Sequence, residues 1–315
     1  MRTDFVVLGA TGVTGGLIAE HLVRQGATVT LAGRDTDRLA GTATRLGGGA
    51  GAVLAVDLAD PQSVAAAARA GKVLVNTVGP FTRLAPAVVS ACLGAGTAYV
   101  DLANERAAVR ALLDRDAEAR DRGVALVTGA GFGPAATEAL VLGLLARVPH
   151  PAGVTVASAA SSAYDTAGVR STVAEAVADG ATTYRAGELV RSPLGDGATA
   201  LTFGGAVRTV IPVPVGDLEA ARDASGAPDV TAYAVPRGGA GDGRSYGYAE
   251  LTGADGRRHT AELRTGEGFA FTAAVAAEAA AVLLGGSRAG AWTAARLLGA
   301  ERVAALPGTT VTTGR

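Results

Sequence analysis

The chain has 315 residues, of which 49% are hydrophobic and 18% charged, and its formal net charge is −1. A chain of this length favours two domains, and this composition excludes an intrinsically disordered protein. Because the charge is near zero and there is no basic block, neither nucleic acid nor an anionic membrane is expected as a partner.

Several features of the sequence indicate where the protein works. Cys92 is the single cysteine, so there is no sign of a disulfide framework. The apolar run at residues 5–8 is too short for the core of a signal peptide. The longest apolar stretch, residues 269–284, contains Glu278 and is shorter than the about 20 strongly apolar residues of a membrane span. We therefore expect a cytoplasmic protein without a membrane anchor.

Short apolar strands alternate with helices in the first half of the chain. Strands are predicted at residues 4–9, 27–32, 52–57, 72–76, 98–101 and 124–128, and helices at residues 13–25, 35–46, 61–70, 84–93, 105–122 and 134–147. Strands that are apolar at most positions are buried on both faces, as in a parallel sheet covered by helices. The regular alternation predicts an α/β fold with a Rossmann-type, doubly wound parallel sheet.

The pattern changes after the chain break at Pro149 and Pro151. Short strands are predicted at residues 153–158, 201–203, 207–213, 230–235, 246–252 and 258–264, with few helices between them. The last two strands are expected to form a hairpin around residues 254–257, since Asp-Gly suits a tight turn. We predict a separate α+β domain for substrate binding or dimerisation. From Gly268 onward the pattern is helical again.

A glycine-rich turn, residues 9–16, joins the first strand to the first helix. Phosphate binding needs a sharp turn, free backbone N–H groups and a helix N-terminus behind them. Glycines at 9, 12 and 15 meet these needs. The alternative is an ordinary turn in a chain with 45 glycines, but the strand before it and the helix after it favour nucleotide binding. The residues predicted to contact the cofactor here are Gly9, Thr11, Gly12, Val13 and Thr14.

The end of the second strand distinguishes NADP from NAD. Proteins that bind NAD usually end this strand with a carboxylate that bonds the ribose hydroxyls. Here Gly33 leaves space, and Arg34 offers a planar guanidinium suited to a 2′-phosphate, with Arg38 one turn later. Asp35 is expected to cap the next helix. The sequence therefore predicts NADP(H).

Two further segments are predicted to line the cofactor. Asp57 ends the third strand, where it either flanks the adenine or caps the following helix. The fourth strand runs into residues 76–81, and ligands of such sheets lie at the carboxyl ends of strands. Thr77, Gly79 and Pro80 are therefore expected along the cofactor toward the nicotinamide ribose.

Several segments also match a known family. They are VVLGATG at 6–12, LAGR at 31–34, VNTVGPF at 75–81, AC at 91–92, GTAYVDL at 96–102, GAGFGP at 129–134, GEGF at 266–269 and AGAWT at 289–293. In this order they resemble the saccharopine dehydrogenase-like oxidoreductases, which include trans-acting enoyl reductases. The resemblance is good over residues 1–148, faint in the middle and moderate over residues 266–310.

The resemblance implies the domain organisation and the activity. Residues 1–148 plus about 266–315 are expected to form the Rossmann domain, to which the C-terminal helical segment returns, and residues 149–265 the inserted α+β domain. The implied activity is NADP-dependent reduction of a C=N or activated C=C bond of a small molecule. The chain departs from the family in its short middle domain and in lacking an acidic residue after Phe132. These departures leave the identity of the substrate open. The sequence also leaves open whether the protein forms a homodimer.

The candidates for proton chemistry follow the fifth strand. The Tyr-x-x-x-Lys pair of short-chain dehydrogenases is absent, because Lys72 is the single lysine of the sequence and no tyrosine lies four residues before it. Tyr99, Asp101 and Glu105 are instead predicted as catalytic, because they lie where the nicotinamide is expected to point. The alternative is that Tyr99 packs in the core and Asp101 caps a helix.

The remaining polar residues give weaker signals. Each of His21, His150 and His259 is expected to be structural or exposed, and no spacing indicates a metal. Side chains of the middle domain that are candidates to face a cleft are Tyr164, Asp165, Arg170 and Tyr184. Two other functions stay open on the sequence: a regulatory protein that binds NADP without turnover, and a redox-neutral enzyme on the same fold.

Overall fold

The computed structural model describes residues 2–47, 50–161, 180–236, 242–286 and 288–314, together with positions 170, 174 and 178. The chain folds into two compact units, each built from several stretches of sequence. The first unit comprises Met1–Ala103, Arg110–Ala130 and Thr272–Ala294. The second comprises Asn104–Val109, Gly131–Phe271 and Ala295–Arg315.

Strands and helices alternate over most of the first unit, and strands dominate the second. The strands are β1 (Thr3–Leu8), β2 (Val29–Gly33), β3 (Ala50–Ala55), β4 (Gly71–Asn76), β5 (Ala98–Asp101), β6 (Ala125–Thr128), β7 (Gly153–Ala159), β8 (Ala181–Arg185), β9 (Glu188–Ser192), β10 (Thr199–Phe203), β11 (Ala206–Pro212), β12 (Asp229–Ala234), β13 (Ser245–Thr252), β14 (Arg258–Thr265), β15 (Gly290–Thr293) and β16 (Thr310–Gly314). The helices are α1 (Val13–Arg24), α2 (Thr36–Leu46), α3 (Pro61–Ala70), α4 (Phe81–Ala95), α5 (Arg106–Leu113), α6 (Asp116–Asp121), α7 (Phe132–Leu145), α8 (Gly216–Ser225), α9 (Gly268–Leu284), α10 (Ala294–Leu298) and α11 (Ala300–Ala304).

The first unit contains a seven-stranded parallel sheet with the order β15-β6-β5-β4-β1-β2-β3. Its central strands are buried because they consist of apolar residues on both faces. Leu8 pairs with Ala32 on one side and with Asn76 on the other. The carboxyl ends of β1, β2 and β4 therefore meet at one edge of the sheet. The predicted Rossmann-type fold is confirmed.

Helix starts in this unit follow local capping chemistry. Asp35 caps α2, since its carboxylate accepts the N–H of Arg38 at 3.0 Å, which confirms the predicted role. Asp60 caps α3 in the same way, accepting the N–H of Gln62 at 2.9 Å, and Pro61 occupies the first helical position. Such caps fix the point at which each strand-to-helix connection ends.

The second unit is built around a mixed sheet. Its strand order is β10-β11-β12-β7-β13-β14-β16, with β8 pairing with β12 and β9 pairing with β8. β12 and β7 are parallel, whereas the other neighbours are antiparallel. β13 and β14 form the predicted hairpin: Thr252 pairs with Arg258, and the side chain of Asp255 accepts the N–H of Arg257 in the turn at 3.0 Å.

Helix α7 belongs to the second unit, although the sequence placed residues 134–147 with the Rossmann domain. Residues 134–141 are all buried, so the helix is covered on every side. It packs on α8, β7, β13 and β14 of the second unit. An apolar pattern without a polar face predicts burial but does not say which sheet buries the helix.

Other elements were not predicted by the sequence patterns. The middle domain has helix α8 and the β8–β9 hairpin, and β9 is too exposed to give an alternating apolar pattern. The segment after Gly268 is not helical throughout, since β15 joins the first sheet and β16 joins the second. No helix in the described part of the chain is long and apolar enough to cross a membrane.

Candidate functional site

The glycine turn between β1 and α1 depends on backbone contacts that leave no room for side chains. Gly9 has a φ of +90°, a conformation that favours glycine, and a Cβ there would lie 2.4 Å from Thr77 Oγ1. A Cβ at Gly15 would lie 2.2 Å from the carbonyl oxygen of Gly9. Helix α1 therefore approaches the end of β1 as closely as a glycine permits.

The N-terminus of α1 presents donors suited to an anion. Gly12, the residue before the helix, is exposed and provides no side-chain cap. The first helical hydrogen bond runs from the N–H of Gly16 to the carbonyl oxygen of Gly12 at 2.9 Å. The amides of Val13, Thr14 and Gly15 thus have no acceptor within the helix. Together with the helix dipole, they form the kind of site that holds a pyrophosphate.

The end of β2 has the space and the charge expected for NADP. A Cβ at Gly33 would make an ordinary contact of 3.8 Å with Leu39, so packing alone does not require a glycine there. Arg34 follows it and is exposed. Arg38 donates from Nη2 to the carbonyl oxygen of Thr11 at 3.3 Å, which brings a second guanidinium to the glycine turn. Two guanidinium groups beside this turn suit a phosphate dianion.

Asp57 lies in a turn just beyond β3. Its Oδ1 accepts the N–H of Ala59 at 2.9 Å, and its own N–H donates to Ser63 Oγ at 3.0 Å. The cap of α3 is Asp60, so the helix-capping interpretation of Asp57 is wrong. Contact between Asp57 and an adenine stays a prediction.

The connection from β4 to α4 is fixed to the end of β1. The N–H and the Oγ1 of Thr77 both donate to the carbonyl oxygen of Leu8, at 2.9 and 2.8 Å. The N–H of Val78 donates to Asn76 Oδ1 at 3.0 Å, and the Gly79–Pro80 peptide bond is cis. These residues therefore lie at the same edge of the sheet as the glycine turn.

A chain of buried polar side chains links β4, β5 and β6 of the first sheet. Asn76 Nδ2 donates to Tyr99 Oη at 3.0 Å, and Tyr99 Oη donates to Asp101 Oδ2 at 3.0 Å. Thr128 Oγ1 donates to Asp101 Oδ1 at 2.7 Å. The exposed fraction is 0% for Tyr99 and 1% for Asp101.

Both oxygens of Asp101 already have donors from the protein. Oδ1 also accepts the N–H of Ala103 at 3.1 Å, and the N–H of Gly129 bonds to the same carboxyl. Burial raises the Asp101 pKa to about 6, although these hydrogen bonds oppose the rise. Because the hydrogen bonds of Tyr99 and Asp101 are made inside the unit, we infer that the pair positions the strand ends. Direct contact with a substrate stays a prediction.

The raised Asp101 pKa predicts a pH-dependent stability. The pKa of Asp101 is about 6 in the folded protein and has the ordinary value of 3.8 in the unfolded chain. The protonated carboxyl group therefore stabilises the fold fully below pH 3.8, and this contribution is lost as the pH rises through 6. Asp101→Asn has no such titration. We expect the unfolding free energy of wild type minus that of the variant to fall by about 3 kcal/mol between acid and neutral pH. Urea unfolding at a series of pH values measures it, and a pH-independent difference contradicts it.

Glu105 lies in the second unit, in the segment Asn104–Val109, whereas Tyr99 and Asp101 lie in the first. Its carboxylate is buried and accepts the N–H of Asn104 at 3.1 Å. The backbone of Glu105 forms a β-bridge with Val215. Its predicted catalytic role stays a prediction.

The other middle-domain candidates are found in different settings. Tyr184 is buried and donates to Glu219 at 2.8 Å, and Arg106 pairs with the same carboxylate at 2.8 Å. Arg170 is exposed. Tyr164 and Asp165 lie outside the described residues.

Sequence reasoning missed two members of the buried chain, Asn76 and Thr128. Each is the last residue of an apolar strand, β4 or β6. The carboxyl ends of neighbouring parallel strands meet at one edge, so polar residues at those ends are the signal that predicts such a cluster.

Residues 5–127 match the family model described as saccharopine dehydrogenase NADP binding domain. The matched range contains the glycine turn, Arg34, and Asn76, Tyr99 and Asp101. Fold and match together define an NADP-binding domain of the Rossmann type.

Curated relatives and a solved structure show the same likeness. Trans-acting enoyl reductases of Mycobacterium bovis and Mycobacterium tuberculosis are 39% identical over 134 residues, which are 41% of this chain and 32% of theirs. The Mycobacterium leprae protein of the same name is 35% identical over 150 residues, 46% of this chain and 36% of its own. The aligned part therefore spans only about a third of the length of these relatives.

One solved structure shares the fold over nearly the whole length of this chain. Apo saccharopine dehydrogenase (L-Glu forming) from Saccharomyces cerevisiae superposes with a TM-score of 0.67 at 12% identity, covering 99% of this chain and 100% of that one. Residues 5–127 are therefore similar to the NADP-binding domain of saccharopine dehydrogenase. The predicted resemblance and the predicted cofactor NADP are confirmed.

Proposed function

We propose that the protein is an NADPH-dependent reductase of an activated C=C or C=N bond in a small molecule. The observation that carries the proposal is the NADP-binding domain at residues 5–127, whose glycine turn and Arg34 suit the pyrophosphate and the 2′-phosphate. The relatives with 39% identity are named enoyl reductases, which favours a C=C bond conjugated to a carbonyl. The proposal includes a cytoplasmic location.

The residues at the sheet edge have separate tasks in the proposed enzyme. The amides of Val13 and Thr14 bind the pyrophosphate, and Arg34 with Arg38 binds the 2′-phosphate. The turn at residues 77–80 lies along the nicotinamide ribose. NADPH, when bound, supplies the hydride, and the protein orients the acceptor and excludes water.

The buried, hydrogen-bonded side chains around Asp101 support this arrangement from inside the sheet. The Tyr99–Asp101 hydrogen bond joins the side chains of β5, and Asn76 and Thr128 connect them to β4 and β6. In the proposed enzyme this network keeps the three strand ends in register. Geometry held by packed, hydrogen-bonded side chains is what orients reacting groups.

Stopped-flow absorbance at the nicotinamide band tests the function. With NADPH and a crotonyl thioester, we expect loss of the reduced-nicotinamide absorbance, with an imine panel as the second class of acceptor. Tight NADPH binding without oxidation by any acceptor contradicts a reductase and supports a regulatory NADP-binding protein.

A further inference from the structure

Strand β3 forms one edge of the sheet in the first unit, and no further strand lies beyond it among the described residues. All six of its residues, Ala50–Ala55, are alanine, glycine, valine or leucine. Gly51, Ala52, Val53 and Ala55 are exposed, and the exposed fraction of Val53 is 38%. The first unit therefore ends in an exposed apolar strand.

Other edge strands in the described part of the chain differ from β3. β9 carries Glu188 and Arg191, β10 and β16 carry threonines, and three of the four residues of β15 are buried. Charged side chains and coverage by the rest of the protein are two devices that keep an edge strand from pairing with another chain. β3 has neither, since it is exposed and no residue between Arg45 and Asp57 is charged.

The free edge of β3 presents peptide groups that β2 does not use. Residues 52–55 pair with residues 30–33 of β2, and the N–H of Val56 donates to the carbonyl oxygen of Gly33 at 2.8 Å. Peptide groups of successive residues in a strand point to opposite edges. Because the N–H of Val56 points toward β2, the N–H and carbonyl groups of Val53 and Ala55 point away from it. Both residues therefore offer a donor and an acceptor to another strand.

We propose that β3 pairs with β3 of a second copy of this chain, antiparallel about a two-fold axis, so that the two sheets become continuous. A two-fold dimer uses the same surface of both copies, and a strand meets this condition by pairing with itself in the antiparallel direction. With Val53 on the axis, each Val53 faces its counterpart, and Ala55 faces Gly51 of the other copy. The pairing satisfies the free peptide groups and covers the apolar side chains.

Charges at the two ends of β3 favour the antiparallel direction. Arg45 lies in the last turn of α2, before the strand, whereas Asp57 and Asp60 follow the strand. All three residues are exposed. In an antiparallel pair the start of one strand lies beside the end of the other, so each guanidinium group is at the same end as the carboxylates of the other copy. A parallel pair would bring like charges together, which disfavours it.

The mass of the protein in solution tests this interface, and nothing in the pairing depends on the reductase activity. The chain has a mass of 30.9 kDa. By sedimentation equilibrium we expect wild type at about 10 μM to have twice this mass. Val53→Lys places two ammonium groups opposite each other at the axis, so the dissociation constant of the dimer should rise roughly 10-fold or more. A lysine at this exposed position can extend into water, so the monomer should stay folded.

Val190→Lys is the matched control for this change. Val190 is the middle residue of the edge strand β9 in the second unit, and its exposed fraction is 45%. The variant adds the same charge at an exposed valine of an edge strand, and it should dimerise as wild type does. Loss of the dimer in Val190→Lys, with a normal dimer in Val53→Lys, would move the interface to β9 and overturn the proposal.

Hydrogen exchange at single amides distinguishes strand pairing from a dimer formed through another surface. The amides of Val53 and Ala55 point away from β2, so they should exchange quickly in the monomer and slowly in the dimer. We expect their protection to rise with protein concentration, and the Ala55 amide to lose it in Val53→Lys. If Val53→Lys does not fold, the exchange of wild type decides.

Two results would overturn the proposal outright. One is a dimer in which the Val53 and Ala55 amides exchange as quickly as in the monomer, because its interface then lies elsewhere. The other is a wild-type chain that stays monomeric up to about 200 μM, which would leave this edge to a strand of a different protein.

Discussion

Gly15→Ala is expected to abolish NADPH binding and to destabilise the first unit by roughly 3 kcal/mol or more. The added methyl group would lie 2.2 Å from the carbonyl oxygen of Gly9 and 2.7 Å from its carbon. Both are backbone atoms, so no side chain can rotate away, and α1 has to move from the end of β1. That movement takes the amides of Val13 and Thr14 out of position for a pyrophosphate. Urea unfolding and calorimetric titration with NADPH measure the two losses.

Gly94→Ala is the matched control for this change. Gly94 lies in α4 of the same unit, is exposed, and has nothing within 4 Å of an added Cβ. Alanine is the better helix former, so this variant should gain about 0.5–1 kcal/mol and bind NADPH as wild type does. Normal NADPH affinity in Gly15→Ala would show that the close approach of α1 is not what shapes the site.

Arg34→Ala is expected to weaken NADPH binding by about 1.5–3 kcal/mol, or roughly 10- to 150-fold, and to leave NADH binding nearly unchanged. The reason is that a charge-assisted hydrogen bond to the 2′-phosphate is lost, and NADH has no such phosphate. Titration calorimetry with each dinucleotide measures both affinities.

Arg69→Ala serves as the charge-matched control for Arg34. Arg69 is an exposed arginine in the last turn of α3 in the same unit, so its removal changes the net charge equally. It should leave both affinities as in wild type. Equal weakening of NADPH and NADH in Arg34→Ala would remove Arg34 from the 2′-phosphate site. In that case Arg38, which already contacts the glycine turn, becomes the candidate.

The parts of the fold that were predictable from the sequence depend on short-range chemistry. A strand, a glycine turn and a helix follow one another within residues 3–24, and the Asp35 cap and the Asp255 turn involve residues two or three positions apart. Such features depend on residues that are neighbours in the sequence, so local conformational preferences are enough to predict them.

The parts that were not predictable depend on contacts between distant residues. β15 pairs with β6 across more than a hundred residues, and an apolar tetrapeptide gives no sign of its partner. Helix α7 is apolar on all sides, so its sequence does not indicate which sheet covers it. Asp217 meets Thr137 only through packing of α8 on α7. An acid in a short helix has no local feature that marks it as buried.

The position of β15 in the sequence, far after its partner strand β6, has a consequence for synthesis on the ribosome. Strand β6 is made before residues 129–289, and its outer edge can pair with its partner, residues Gly290–Thr293, only after all of these have been made. Until then an apolar strand with unpaired peptide groups is open to pairing with another nascent chain. A fragment that stops before Gly290 would keep every residue assigned to the dinucleotide and still carry this unpaired strand edge, so an N-terminal fragment alone is a poor way to isolate the nucleotide-binding part.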